Sequence, residues 1–174
     1  MDTSDVDASR QKFRPRSMRH QGWNYAGGGG YYVAICTKDR IPFFGKVDDE
    51  GQMHLNAFGK IVEEEWLRTP RVRPYVDLDD YCVMHDHLHG ILIINREAEY
   101  PKDLARKDHW QSGCLGAIIS RFKEQCTKRI RQSGCLNFSW QRGFYDHIIR
   151  NEKDLERIRG YMQQNPEAHS FGKE

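Results

Sequence analysis

The chain has 174 residues, of which 38% are hydrophobic and 30% are charged. This length suits a single domain, since one hydrophobic core typically organises about 100 to 150 residues, and the composition excludes extended disorder. The net charge of +2 is too small to identify a partner, and no apolar run is long enough to cross a bilayer. We therefore expect a soluble single-domain protein.

The cysteines and the beginning of the chain indicate the compartment. The five cysteines form no C-x-x-C pair, and an odd number fits poorly with a disulfide framework. The opening residues MDTSDVDASR lack the apolar core of a secretory signal. Together these features predict a reducing, cytoplasmic environment.

The first 28 residues are polar and basic, end in glycines and show no period that would bury a face. We predict a flexible arm over residues 1–28, one domain over residues 29–167 and a tail over residues 168–174. A basic arm suits nucleic acid. Its predicted DNA contacts are Arg14, Arg16 and Arg19.

The first half of the domain begins with the β-branched and aromatic segment 31–38, which predicts a strand. Residues 56–68 predict a helix, because Asn56 can cap it and apolar residues recur at spacings of three and four. Pro70 and Pro74 are expected to end this helix.

Two adjacent strands follow. Residues 75–84 predict a strand with a bend at Asp79 and Asp80, and residues 87–94 predict the next one. The continuous apolar end of the latter, GILII, is typical of a strand covered on both faces.

The second half of the domain also alternates between helices and strands. Residues 116–131 predict an amphipathic helix with a basic outer face, residues 140–150 a strand, and residues 151–165 a last helix with Asn151 as its cap and Asp154 at the capping-box position. The order strand, helix, strand, strand, helix, strand, helix predicts an α+β ferredoxin-like sandwich. It would be an antiparallel sheet with helices, plus one additional C-terminal helix.

His87 and His89 alternate with Leu88, so in a strand both imidazoles leave the same face. Neutral imidazole binds transition metals and takes part in magnesium or manganese sites completed by oxygens. His85 has the same parity, so three nitrogens could bind zinc, whereas we expect the carboxylate of Asp86 to point to the opposite face. Alternatively, these histidines only satisfy hydrogen bonds within the fold.

The segment YCVMHDHLHGILI resembles the metal-binding strand of the HUH superfamily (histidine, hydrophobic residue, histidine). The likeness is to the REP-associated tyrosine transposases, of the single-tyrosine, insertion-sequence-200-like type, whose strand reads V-M-P-N-H-x-H. FGKIVEEEW, WQRGFYDHIIRN and RIRGYMQQNP are also similar to segments of this family, so the resemblance spans residues 13–167. The departures are His85 for proline and Asp86 for asparagine, which bear on turn geometry and metal preference.

The resemblance implies that Tyr161, in the setting Y-x-x-x-N-P, is the catalytic nucleophile. It implies that Asn165 completes a Mg²⁺ or Mn²⁺ site with His87 and His89, and that the product is a 5′-phosphotyrosine with a free 3′ hydroxyl on single-stranded hairpin DNA. From the residues alone, Tyr161 and Asn165 are helical neighbours that could equally be a core edge and a helix end. Tyr145 is the rival nucleophile.

Basic and aromatic side chains interleave in the second half of the chain, as in proteins that hold single strands through phosphates and stacking. The predicted DNA contacts there are Arg121, Lys123, Trp140 and Arg142, although such aromatics also occur in cores. We expect a monomer or homodimer. Two alternatives to a strand transferase stay open: a domesticated, non-catalytic nucleic-acid-binding domain, and a zinc hydrolase using the three histidines.

Overall fold

The computed structural model describes residues 29–95 and 115–164. In chain order its elements are β1 (Gly29–Cys36), β2 (Gly45–Val47), β3 (Met53–Leu55), α1 (Ala57–Val72), β4 (Val76–Val83), β5 (His87–Ile94), α2 (Leu115–Gln132), β6 (Tyr145–Ile149) and α3 (Glu152–Gln164). A 3₁₀ turn, Lys38–Arg40, follows β1. No helix in this part of the chain combines the length and apolarity needed to cross a membrane.

Four strands form one antiparallel sheet in the spatial order β4-β5-β1-β6. Helices α1 and α2 pack on one face, where Val33, Trp66 and Ile118 belong to one buried cluster. Helix α3 packs on the other face, where Leu155 and Ile158 join Ile91 of β5. This order, with one extra helix on the opposite face, confirms the predicted α+β ferredoxin-like class.

Strand β5 is buried along its whole length, as its apolar run predicted. Leu88 and Leu92 point to the layer of α1 and α2, whereas Ile91 points to α3. Because successive side chains alternate between faces, His87 and His89 share the α3 face with Ile91. Gly90 allows Trp66 to approach on the other face, where a Cβ atom would meet the indole ring at 2.2 Å.

Strand β4 carries a bulge at the predicted bend. Leu78 pairs with Leu92 and Tyr81 pairs with Gly90, so Asp79 and Asp80 lie together across from a single residue of β5. A bulge of this kind interrupts the alternation of side chains. Two successive carboxylates thereby become available on the α3 side of the sheet.

Both predicted helix caps are confirmed. The side chain of Asn56 accepts hydrogen bonds from the N–H groups of Phe58 and Gly59, and that of Asn151 accepts one from the N–H of Asp154 at 2.8 Å. The Asp154 carboxylate does not close a capping box within the helix. It accepts from the N–H of Arg150 at 3.4 Å and pairs with His147 of β6, which ties α3 to the sheet.

Two predictions about element bounds were wrong, and one pair of strands was missed. Helix α1 continues through Pro70 to Val72, because the proline removes one donor in the last turn only and the N–H of Arg73 still bonds to the carbonyl of Thr69. Strand β6 is shorter than residues 140–150. The hairpin of β2 and β3 was missed, since strands of three residues carry little periodicity.

Candidate active site

The two strand histidines face each other on the α3 side of the sheet. Their Nε2 atoms lie 2.9 Å apart, and their ring centroids 4.4 Å apart. Both side chains are buried, with 1% and 5% of their surface exposed. Burying polar rings is costly unless each nitrogen has a partner. The predicted convergence of His87 and His89 is confirmed.

Each histidine also has a partner on its outer nitrogen. Nδ1 of His87 lies 2.6 Å from Oδ1 of Asp86, and Nδ1 of His89 lies 2.7 Å from the hydroxyl of Tyr32. Asp86 forms an ion pair with Arg40, whose Nε lies 2.8 Å from Oδ2 of Asp86. The inward nitrogens are therefore the pair that faces the site, and the outward nitrogens are held by the fold.

The position of Asp86 corrects the sequence analysis, which expected its carboxylate on the opposite face. Asp86 precedes β5 in a turn, where strand alternation does not apply, and its buried carboxylate lies beside His87. The Nε2 atom of His85 is 3.5 Å from this carboxylate. His85 thus turns toward Asp86, and its ring centroid lies 6.3 Å from that of His87.

The histidine pair fits a divalent cation. Two ligands at adjacent corners of an octahedron with bonds of about 2.1 Å lie about 3 Å apart, close to the 2.9 Å between the Nε2 atoms. Within residues 29–95 and 115–164, no group of three or more His, Cys, Asp or Glu side chains is arranged to hold a metal ion. The three-histidine zinc site thus gains no support, and the predicted third ligand, Asn165, lies outside the described residues.

Tyr161 lies on the same side of the sheet as the histidines. Helix α3 packs through Ile158 and Met162, and this places the Tyr161 ring centroid 6.4 Å from that of His89. Burial raises the pKa of the Tyr161 phenol above its ordinary value. The predicted rival Tyr145 also reaches this face, since its ring meets Tyr32 edge-on at 6.2 Å.

Two contacts hold α3 against the bulge of β4. The guanidinium of Arg159 donates from Nε to Oδ1 of Asp79 at 2.7 Å and from a second nitrogen to the other oxygen. The amide of Gln163 lies 3.3 Å from Asp80. These partners lie one helical turn apart and flank Tyr161 in sequence, so the bulge fixes the helix on both sides of the phenol.

The predicted DNA contacts of the second half of the chain lie in different parts of the fold. Arg121 lies on α2, across the sheet from the histidines, and Arg142 is exposed in the loop before β6. Lys123 donates to the carbonyls of Gln141 and Gly143, and burial lowers its pKa. Trp140 packs against aromatic rings of the α1/α2 core and donates its indole N–H to a carbonyl of α2.

Lys123 and Trp140 therefore have structural contacts within the fold, and their contacts with DNA stay a prediction. Arg14, Arg16 and Arg19 lie outside the described residues.

Sequence reasoning missed three residues that shape this site: Tyr32, Arg40 and Asp79. The strand alternation of β1 could have placed Tyr32 on the face opposite Val33. Arg40 had no such signal, because it lies in a short turn where its φ of 57° is left-handed. The role of Asp79 depends on a bulge whose register only the folded sheet defines.

The chain is similar in sequence to two curated proteins and in fold to a solved structure. No family model matches. A protein of Haemophilus influenzae described as uncharacterized is 35% identical over 158 residues, which cover 87% of both chains. A second H. influenzae protein, described as a “Putative REP-associated tyrosine transposase”, is 23% identical, over 85% of this chain and 76% of its own.

A solved structure, that of a REP-associated tyrosine transposase bound to a REP hairpin, shares the fold. Its TM-score is 0.55 at 21% identity, and the match covers 83% of this chain and 70% of the other. The chain therefore belongs to one family with the first H. influenzae protein and is similar, in sequence and in fold, to the REP-associated tyrosine transposases.

Proposed function

We propose that this protein is a metal-dependent endonuclease and strand transferase that acts on single-stranded, hairpin-forming DNA through a covalent link to Tyr161. The observation that carries the proposal is that the side chains of Tyr161, His89 and His87 lie next to one another on the α3 side of the sheet. The phenol of α3 lies beside His89, whose Nε2 faces that of His87. Similarity to the REP-associated tyrosine transposases supports the same reading.

The proposed reaction is a phosphoryl transfer in two steps. The Tyr161 oxygen forms a bond to phosphorus while the bond from phosphorus to the 3′ oxygen breaks. The phenol loses its proton, and the departing oxygen takes one up, so the products are a 5′-phosphotyrosine and a free 3′ hydroxyl. Attack of a 3′ hydroxyl on the phosphotyrosine reverses the step and joins strands without a nucleotide cofactor.

The residues proposed to hold Mg²⁺ or Mn²⁺ are His87, His89 and Asn165. When bound, such an ion supplies Lewis acidity and a fixed position for the scissile phosphate. Tyr161 is partly buried beside the pair, and burial raises the pKa of its phenol. The site must therefore assist deprotonation as the bond to phosphorus forms.

The proposed DNA contacts lie on the arm and at the exposed loop. Arg14, Arg16 and Arg19 would bind phosphates of a hairpin, and Arg142 is exposed in a loop whose Gln141 N–H bonds to Cys36, the β1 partner of His87. Arg121, Lys123 and Trp140 are proposed as weaker or indirect contributors, since they lie on α2 or in core contacts.

Covalent trapping tests the proposal. The full chain is incubated with a library of single-stranded hairpins and Mn²⁺, denatured, and separated by gel, and the DNA-linked peptide is mapped. We expect an adduct on Tyr161 that is absent from Tyr161→Phe, which removes one oxygen and little volume.

Tyr145→Phe is the matched control, because it makes the same change on the same face and should retain the adduct. An adduct that maps to another tyrosine, or that forms normally in Tyr161→Phe, would overturn the proposed nucleophile. Hairpin binding without any adduct in the wild type would instead support a non-catalytic DNA-binding protein.

A further inference from the structure

We infer that Asp86 and Tyr32 are positioning residues that set the affinity of the histidine pair for its metal: Asp86 fixes the orientation and proton position of His87, and Tyr32 fixes the orientation of His89. The inference rests on the proposed metal site. It concerns residues of this chain for which the resemblance assigns no role, and at position 86 the related strand motif has asparagine.

For His87, Asp86 determines which nitrogen carries the proton. A carboxylate can only accept, and its Oδ1 lies 2.6 Å from Nδ1 of this ring. Nη2 of Arg40, which can only donate, is farther from the same nitrogen, at 3.4 Å. The shorter contact with the carboxylate therefore places the proton of a neutral His87 on Nδ1, and Nε2 presents a lone pair to the site. An asparagine amide could offer either its oxygen or its NH₂ group to Nδ1, so it would not enforce this tautomer.

Contacts with residues other than His87 hold Asp86 in place. Its second oxygen pairs with Arg40 Nε, and the backbone carbonyl of Asp86 accepts a hydrogen bond at 2.9 Å from the N–H of Thr37. Arg40 also donates to the sulfur of Cys36. Arg40 therefore neutralises Asp86 and fixes its orientation, so that the carboxylate meets the ring without bringing a net negative charge into the core.

For His89, the Tyr32 hydroxyl serves both states of the ring, because a hydroxyl can donate or accept. Without a metal, Nε2 of His89 can donate to Nε2 of His87 at 2.9 Å while Nδ1 accepts from Tyr32. To serve as a metal ligand, Nε2 would have to be unprotonated, and the ring would then hold its proton on Nδ1 and donate it to the Tyr32 oxygen. The change moves one proton between the two nitrogens of a single ring.

Partners of this kind orient metal-bound histidines and raise their basicity. Loss of either partner should therefore weaken metal binding by about tenfold or more. A purely structural role predicts a different result: lower stability with unchanged metal affinity. Metal binding measured on folded protein separates the two roles.

The test is titration of the full chain with Mn²⁺ alone, with free Mn²⁺ followed by electron paramagnetic resonance. Asp86→Asn and Tyr32→Phe each keep the shape of the side chain, and both should bind Mn²⁺ about tenfold or more weakly than the wild type. Excess Mn²⁺ should restore adduct formation in both variants. Asp77→Asn, an exposed carboxylate on β4, is the control and should bind like the wild type.

Ring ¹⁵N spectra of the metal-free wild type provide a second measurement that needs no variant at Asp86. His87 should carry its proton on Nδ1. A proton on Nε2 of His87, or unchanged Mn²⁺ affinity in both folded variants, would overturn the inference. The proposed metal site itself would be overturned if the wild type did not bind Mn²⁺, or if His89→Ala bound it equally well.

Discussion

Asp79 of β4 and Arg159 of α3 are joined by two parallel hydrogen bonds on the α3 side of the sheet. Asp79 is 2% exposed, and Arg159 is the cationic partner of its buried carboxylate. Paired contacts between a guanidinium and a carboxylate fix geometry as well as charge. This pair helps to set where α3, with the proposed nucleophile Tyr161, lies relative to the histidines.

Asp79→Asn should lower the rate of adduct formation while leaving Mn²⁺ affinity close to that of the wild type. The amide keeps the shape of the carboxylate but cannot accept from both guanidinium nitrogens, so α3 loses its fixed position. We expect a loss of stability of about 1–3 kcal/mol, measured by urea unfolding. Asp80→Asn, whose partner Gln163 is exposed, should have a smaller effect on both quantities. Equal adduct rates in Asp79→Asn and the wild type would contradict this role.

His87→Ala and His89→Ala should each abolish adduct formation and leave hairpin binding largely intact, because contacts to the DNA backbone supply most of the affinity. Adduct gels and fluorescence anisotropy measure the two properties separately. His54→Ala, which removes an exposed histidine of the β2–β3 hairpin, is the control. Full activity of the wild type in a chelator would show that the pair serves another purpose.

Gly90→Ala should destabilise the fold by about 1–3 kcal/mol. Its Cβ would meet the indole of Trp66 at 2.2 Å, and that ring is itself fully buried. Thermal and urea unfolding measure the loss. Gly160→Ala is the matched comparison, since a Cβ there meets nothing within 4 Å. In a helix this change should raise stability by about 0.5–1 kcal/mol. An equally stable Gly90→Ala would show that β5 and α1 can move apart.

Tyr161 should ionise only above the ordinary tyrosine pKa of about 10, because burial disfavours the phenolate. The absorbance of the wild type minus that of Tyr161→Phe, followed against pH without metal, isolates this phenol. A raised pKa in the folded state also means that its contribution to stability is present below the unfolded pKa and is lost as the pH rises above it. A phenolate signal near neutral pH would reverse the sign of the shift.

The affinity for hairpin DNA should fall steeply with salt, since phosphate contacts release counterions. Deleting residues 1–20, which include Arg14, Arg16 and Arg19, should weaken binding and flatten the salt dependence. Anisotropy titrations at several salt concentrations measure both effects. Equal binding of an uncharged polymer, or a slope unchanged by the deletion, would remove the arm from the interface.

Local patterns predicted most of the fold. The alternation of His87, Leu88 and His89 and the caps at Asn56 and Asn151 follow from rules that act over a few residues. The bulge at Asp79, the turn that carries Arg40 and the inward position of Asp86 depend on pairing between distant segments. Pro70 shows a different limit, because a proline in the last turn removes only one donor and does not stop the helix from reaching Val72.

The bulge of β4 also constrains how the length of this segment can change during evolution. Its extra residue is what brings two successive carboxylates to the same side. Deleting one residue between Leu78 and Tyr81 would restore regular alternation and leave a single acidic side chain facing α3. Sequence drift in related chains should therefore alter side chains at this point far more readily than it alters the number of residues.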